Sequence, residues 1–135
     1  MSDTPRTSPA ITLLIVEDCT VTLQCYSSIL AMLCPEITLY TASDGTSGLE
    51  LFKEHLPQIV VTDLNMPEMD GRQLTANIRA IRPETKLIIL TGDKESVDRH
   101  GKVSVYDYLI GKPVDFQDLF AAIKQCIDDV EHHGA

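Results

Sequence analysis

Five short apolar runs alternate with amphipathic stretches along the chain. Ile11–Val16, reading ITLLIV, is nearly all apolar and predicts a strand buried on both faces, ended by Glu17-Asp18. Leu23, Tyr26, Leu30 and Leu33 stand at helical spacing and predict a helix over Thr20–Leu33, closed by Cys34-Pro35. Ile37–Thr41 predicts a second, shorter strand with Ser43-Asp44-Gly45 as its turn. Leu49, Phe52 and Leu56 line one face of a helix over Ser47–Leu56, which Pro57 stops. The third strand starts with the β-branched run Ile59-Val60-Val61 and ends at Asp63; Asn65, Pro67 and Asp70-Gly71 then turn the chain. A helix over Arg72–Ile81 carries Leu74, Ile78 and Ile81. Lys86–Thr91, reading KLIILT, is the fourth strand, and Gly92-Asp93 turns out of it. Lys94–Ser104 has the poorest helical pattern, with Val97 its main apolar residue and Gly101 interrupting it. Tyr106–Ile110 is the fifth strand, ended by Gly111-Lys112-Pro113. Phe116, Leu119, Phe120, Ile123, Ile127 and Val130 form one stripe of the last helix, with Asp115 as its N-cap.

Strands and helices alternating five times, as (βα)5, imply an α/β fold with a parallel sheet covered on both faces. The natural arrangement is a doubly wound, flavodoxin-like sheet of strand order 2-1-3-4-5. The pattern places one domain over residues 10–131. The Ser-, Thr- and Pro-rich stretch 1–9 reads as a disordered N-terminal tail and 132–135 as a C-terminal tail.

Composition narrows the partners. The 135 residues hold 11 Lys+Arg against 20 Asp+Glu, a net charge of −9, which disfavours direct contact with nucleic acid or an anionic membrane. Four cysteines, Cys19, Cys25, Cys34 and Cys126, show no metal-binding spacing and read as reduced thiols of a cytoplasmic protein. No apolar run approaches membrane-spanning length.

The predicted fold gathers scattered polar residues on one edge of the sheet. Glu17-Asp18 end the first strand, Asp63 the third and Thr91 the fourth, and Lys112 follows the fifth. Three neighbouring carboxylates repel by about 4 kcal/mol per pair at ~4 Å and an effective dielectric near 20, so they bind a cation, shift a pKa, or both. Lys112 neutralises one charge. Oxygen ligands without thiol or imidazole select Mg²⁺, or Mn²⁺, over zinc. A carboxylate on a rigid strand end beside a divalent cation, an ammonium and a hydroxyl suits phosphoryl transfer. Asp63 is then the nucleophile, and Lys112 and Thr91 stabilise charge on the transferring oxygens.

These residues resemble the receiver domain of two-component response regulators, of the CheY-like type. The resemblance rests on Glu17-Asp18, Asp63 within TDLNMPEMDG, Thr91-Gly92 after an apolar strand, and Lys112-Pro113 before the last helix; it covers about Ala10–Val130. It implies that Asp63 receives a phosphoryl group from a histidine kinase or histidine phosphotransfer protein. Glu17, Asp18 and Asp63 would hold Mg²⁺ with their side chains and Asn65 with its backbone carbonyl. Lys112 would contact the phosphate, Thr91 would move toward it, and the Lys112–Pro113 bond would be cis. Asn65 and Asp93 would tune the lifetime of the acyl phosphate, with small Gly92 leaving it open to water. The protein would then be no enzyme beyond its own phosphorylation and dephosphorylation. It would signal to an unknown output protein or domain, or to a second copy, through the fourth helix, fifth strand and fifth helix.

One position departs from the family. The family often carries a switch aromatic three residues before the lysine, where this chain has Leu109. Strand alternation turns Tyr106 and Tyr108 away from Leu109, which predicts that the aromatic half of the switch is missing. Two other functions share parts of the pattern. An aspartyl-phosphate hydrolase wants a second carboxylate where Asn65 stands. A phosphorylation-independent docking module with the same fold would not need the full acidic set.

Overall fold

The computed structural model describes residues 11–92 and 106–133. The N-terminal tail Met1–Pro9, the fourth predicted helix Lys94–Ser104 and Asp93 lie outside the described residues. The elements are β1 (Thr12–Val16), α1 (Thr20–Leu33), β2 (Thr38–Ala42), α2 (Gly45–His55), β3 (Ile59–Asp63), α3 (Gly71–Ile81), β4 (Lys86–Thr91), β5 (Tyr108–Gly111) and α4 (Phe116–His133), the last helix of the chain. The strands pair in parallel in the order β2-β1-β3-β4-β5, so the expected fold class holds.

Alternation along the buried strands divides the core in two. Leu13 and Ile15, Ile59 and Val61, Ile88 and Leu90 face α1 and α4, where Leu23, Tyr26, Leu30, Leu119 and Ile123 meet them. Leu14 and Val16, Val60 and Leu87 face α2 and α3, meeting Phe52, Leu74 and Ile78. Each of β1, β3 and β4 is buried on both faces, which is why their sequences are apolar without a break.

The turns obey local rules. Asp44 caps α2 by accepting the Ser47 N–H at 2.7 Å. Asp70 and Gln73 form a reciprocal capping box at the start of α3. Asp115 accepts the Gln117 N–H at 2.8 Å and caps α4. Helix α2 begins at Gly45, two residues before the predicted start, because the cap is Asp44. α4 runs on to His133, past the point where the sequence pattern ends its stripe.

Strand β5 starts at Tyr108, two residues later than predicted. Asp107 occupies its entry: its N–H donates to Leu87 O at 2.8 Å and its carboxylate accepts the Leu87 N–H at 2.7 Å. Arg79 Nη2, at 3.3 Å, and Lys86 Nζ, at 4.0 Å, add charge to the same carboxylate. A side chain thus replaces a rung of the strand ladder and anchors the strand that leads to Lys112.

Cys126 lies fully buried on α4, and burial pushes its thiol up to about 12, with Asp107 adding, Lys86 opposing and Asp129 adding. The unfolded chain releases this proton above about pH 9, while the folded chain holds it to about pH 12. Stability therefore falls across that window, by up to about 1.4 kcal/mol per pH unit. Denaturant titrations at about pH 8 and about pH 11 should show the loss. Cys126→Ala, less stable at the lower pH, should lose less between the two. Equal losses would contradict the assignment.

Candidate functional site

The register brings the predicted residues to one edge. Val16 pairs with Thr62, Asp63 with Leu90 and Thr91 with Gly111. Glu17, Asp63, Thr91 and Lys112 thus sit within one residue of a common level, at the carboxyl ends of the strands. In open α/β sheets ligands bind there, beside the point where the strand order reverses, here between β1 and β3.

Glu17, Asp18 and Asp63 each present a carboxylate oxygen, and the three oxygens lie within 4.8 Å of one another. Glu17 and Asp63 are buried, at 2% and 5% exposure, while Asp18 is exposed. Lys112 Nζ lies 2.9 Å from Asp63 Oδ2 and 3.6 Å from Glu17 Oε1. Glu17 Oε2 accepts the Cys19 N–H at 3.1 Å, whereas buried Glu17 Oε1 accepts no hydrogen bond among the described residues. Burial pushes the Glu17 carboxyl above its ordinary range; the Cys19 N–H works against this, the charge of Asp63 adds to it and Lys112 opposes it. Burial disfavours the Lys112 ammonium, yet the hydrogen bond and charge of Asp63, with Glu17 behind them, outweigh burial and raise its pKa above the usual lysine value.

A hard cation fits this set. The converging donors are carboxylate oxygens, one of them buried without a hydrogen bond among the described residues, and Asp18 is exposed on the outer side. Mg²⁺ is held by few carboxylates and keeps several waters, which an open-sided cluster permits.

Thr91 is buried, 1% exposed, and its carbonyl accepts the Lys112 N–H at 2.7 Å. The Lys112–Pro113 peptide bond is cis. Asn65 is exposed in the loop after Asp63, and Gly92 is exposed, with nothing among the described residues within 4 Å of the position of a Cβ. The Leu64 N–H donates to Leu90 O at 2.9 Å and the Gly71 N–H to Leu64 O at 2.7 Å, so both ends of the loop that follows Asp63 are tied down.

Around the departing position, expectation and structure differ in one respect. Tyr108 packs with Ile110 on the α1–α4 side, opposite Leu109, as alternation requires. Leu109 packs against Leu64 and Ile89, and Tyr106 packs there beside it, not on the opposite side. The reason is that Tyr106 precedes the strand, beyond the Asp107 anchor, so alternation does not govern it.

Side-chain identity carries no signal for the Cys19 backbone amide on Glu17, and the one sequence clue to Asp107 is its position before an apolar run. A cavity of about 600 Å³ at the opposite end of the sheet is lined by Arg79, Lys86, Asp107 and Asp129, which pair with one another rather than converge on a ligand.

A family model described as the response regulator receiver domain matches residues 13–124. The chain belongs to the receiver domain family of response regulators. Among curated relatives of this receiver domain, an uncharacterised response regulatory protein of Staphylococcus epidermidis is 35% identical over 82 residues, covering 61% of this chain and 32% of that protein. The transcriptional regulatory protein GlrR of Escherichia coli is 34% identical over 93 residues, covering 67% of this chain and 21% of that one. The receiver domain therefore spans about a third or less of these relatives. Among solved structures, a CheY-like receiver domain protein from Methanospirillum hungatei superposes with a TM-score of 0.83 at 26% identity, covering 92% of this chain and 98% of that one. A receiver domain protein from Clostridium thermocellum gives 0.81 at 29% identity, covering 90% and 97%. Among the described residues no helix of this receiver domain is long and apolar enough to cross a membrane.

Proposed function

We propose that this receiver domain is a phosphorylation-controlled switch in which Asp63 accepts a phosphoryl group from a phosphohistidine of a sensor kinase or phosphotransfer protein. The observation that carries this reading is the Lys112 ammonium held 2.9 Å from a buried Asp63 inside a cluster of carboxylates. A carboxylate oxygen of Asp63 forms a bond to phosphorus as the bond from phosphorus to the donor's imidazole nitrogen breaks, its electron pair leaving with the imidazole. Lys112 stabilises charge on the phosphoryl oxygens, and Thr91 hydrogen-bonds them. Glu17, Asp18, Asp63 and the Asn65 carbonyl would hold Mg²⁺, or Mn²⁺, which neutralises charge on the transferring oxygens when bound. Asn65, Asp93 and open Gly92 set how fast water removes the group.

The domain catalyses only its own phosphorylation and dephosphorylation. Its acidic surface makes no direct contact with nucleic acid; the response passes to an output protein or domain, or to a second copy, through β5, α4 and the segment 94–104. Leu109, with Tyr106 beside it, replaces the aromatic residue often found in the family, so the coupling of Thr91 to β5 differs. Four free cysteines fit a reducing, cytoplasmic setting, and the domain boundary falls near residues 10 and 131.

Intact-mass measurement after incubation with a small-molecule phosphodonor tests the reading. The expected result is a gain of one phosphoryl group that requires Mg²⁺ and is lost in Asp63→Asn. A folded wild-type protein that gains none, even from a phosphorylated histidine-kinase domain, would favour a docking module that works without phosphorylation.

A further inference from the structure

The two halves of the site come from distant parts of the chain. The acids end β1 and β3, whereas the cation lies in the loop after β5. Glu17-Asp18 lead directly into α1, and Lys112 stands four residues before Phe116, the first residue of α4. Both helices lie on the same face of the sheet and share one core cluster.

Within that cluster Tyr26 of α1 and Phe116 of α4 make an edge-to-face pair, with ring centroids 5.4 Å apart and planes at 71°. Tyr26 is 7% exposed and stands six residues into α1, about 9 Å along its axis from Thr20. Its phenol senses the site: burial pushes its pKa up, Glu17 adds, Lys112 opposes and Asp63 adds. On its strand side the Lys112 backbone is fixed by the bond to Thr91 O. On its helix side the anchors are the Asp115 cap and the packing of Val114 and Phe116 against the core.

We propose that Tyr26 is a positioning residue for Lys112: its ring, set against Phe116, fixes the start of α4 and with it the loop that holds the ammonium between Glu17 and Asp63. The inference rests on the reading of Asp63 as phosphoryl acceptor. Tyr26 acts through Phe116 and not on the phosphoryl group, so its ring matters more than its hydroxyl.

The test compares initial rates of phosphoryl uptake from a small-molecule donor at saturating Mg²⁺ in the wild type, Tyr26→Leu, Tyr26→Phe and Phe116→Leu. Tyr26→Leu is also measured in a Lys112→Met background, followed by intact mass over long incubations. Mg²⁺ alone is titrated against amide chemical shifts to give metal affinity. Tyr26→Leu and Phe116→Leu should each slow uptake ~10-fold, the size expected for a sub-ångström misplacement of a charge-stabilising group. Mg²⁺ affinity should rise by no more than about twofold, since the carboxylates that would hold the metal are unmoved and a sub-ångström shift leaves the competing ammonium beside them. Tyr26→Phe should keep a rate near the wild type's. In Lys112→Met, Tyr26→Leu should cause no further slowing, because the group it positions is gone. Equal slowing in both backgrounds, or none in folded Tyr26→Leu, would overturn the role while leaving Asp63 as acceptor. No uptake by the wild type would overturn both. If Tyr26→Leu does not fold, Phe116→Leu in the two backgrounds carries the same comparison.

Discussion

A Lys112→Met protein should take up phosphoryl groups ~10²–10³-fold more slowly than the wild type, the usual cost of removing a preorganised charge at a transferring group. The same protein should bind Mg²⁺ more tightly. The ammonium lies 2.9 Å from Asp63 and 3.6 Å from Glu17 and would compete with a metal for both carboxylates. Rate and metal affinity therefore move in opposite directions, which a general loss of structure would not produce. Without Mg²⁺ the variant leaves two buried carboxylates facing each other. Because the Lys112 side chain is 32% exposed, the stability cost is about 1–3 kcal/mol, below that of a fully buried pair. Mg²⁺ at a hundred times its Kd should restore about 2.7 kcal/mol. Thermal melts with and without the metal, beside uptake rates, check all three effects. A variant phosphorylated at the wild-type rate would remove Lys112 from the mechanism.

Gly71→Ala should be among the most damaging single substitutions in the chain. A Cβ at Gly71 would sit 2.5 Å from Asp63 O and 2.7 Å from Leu64 Cα, both backbone atoms that no rotamer change can move aside. The start of α3 would have to pull away from the end of β3, breaking the Gly71 N–H bond to Leu64 O. Overpacking of this kind costs about 3 kcal/mol or more. Denaturant unfolding would show the loss directly. The fraction that still folds should phosphorylate poorly, because the displaced backbone carries Asp63. Wild-type stability in Gly71→Ala would mean that the loop has slack the structure does not show.

The fold was legible because each central strand is buried on both faces and so reads as an unbroken apolar run, while Pro35, Pro57 and Pro83 punctuate the helices. The gathering of the candidate site's residues was legible because they stand at or just after strand ends: parallel strand order alone brings Glu17, Asp63, Thr91 and Lys112 to one edge. What escaped the sequence was contact between elements. Tyr26 reads as one more apolar position of α1, and only the packing of α1 on α4 sets it against Phe116. Strand alternation alone turns Tyr106 away from Leu109, but Asp107 delays the strand by two residues and leaves Tyr106 beside Leu109. The close approach at Gly71 was likewise invisible, since a glycine after Asp70 reads as ordinary turn chemistry.

Asp63 should carry the phosphoryl group as an acyl phosphate, which reductive trapping can locate. The protein is phosphorylated with a small-molecule donor and Mg²⁺, treated with borohydride, which reduces acyl phosphates but not phosphate esters, and mapped by peptide mass spectrometry. Reduction at position 63 alone, dependent on both donor and Mg²⁺, is the expected result. Reduction at Asp18 instead, or a borohydride-resistant phosphate on a serine or threonine, would rule out Asp63 as the acceptor.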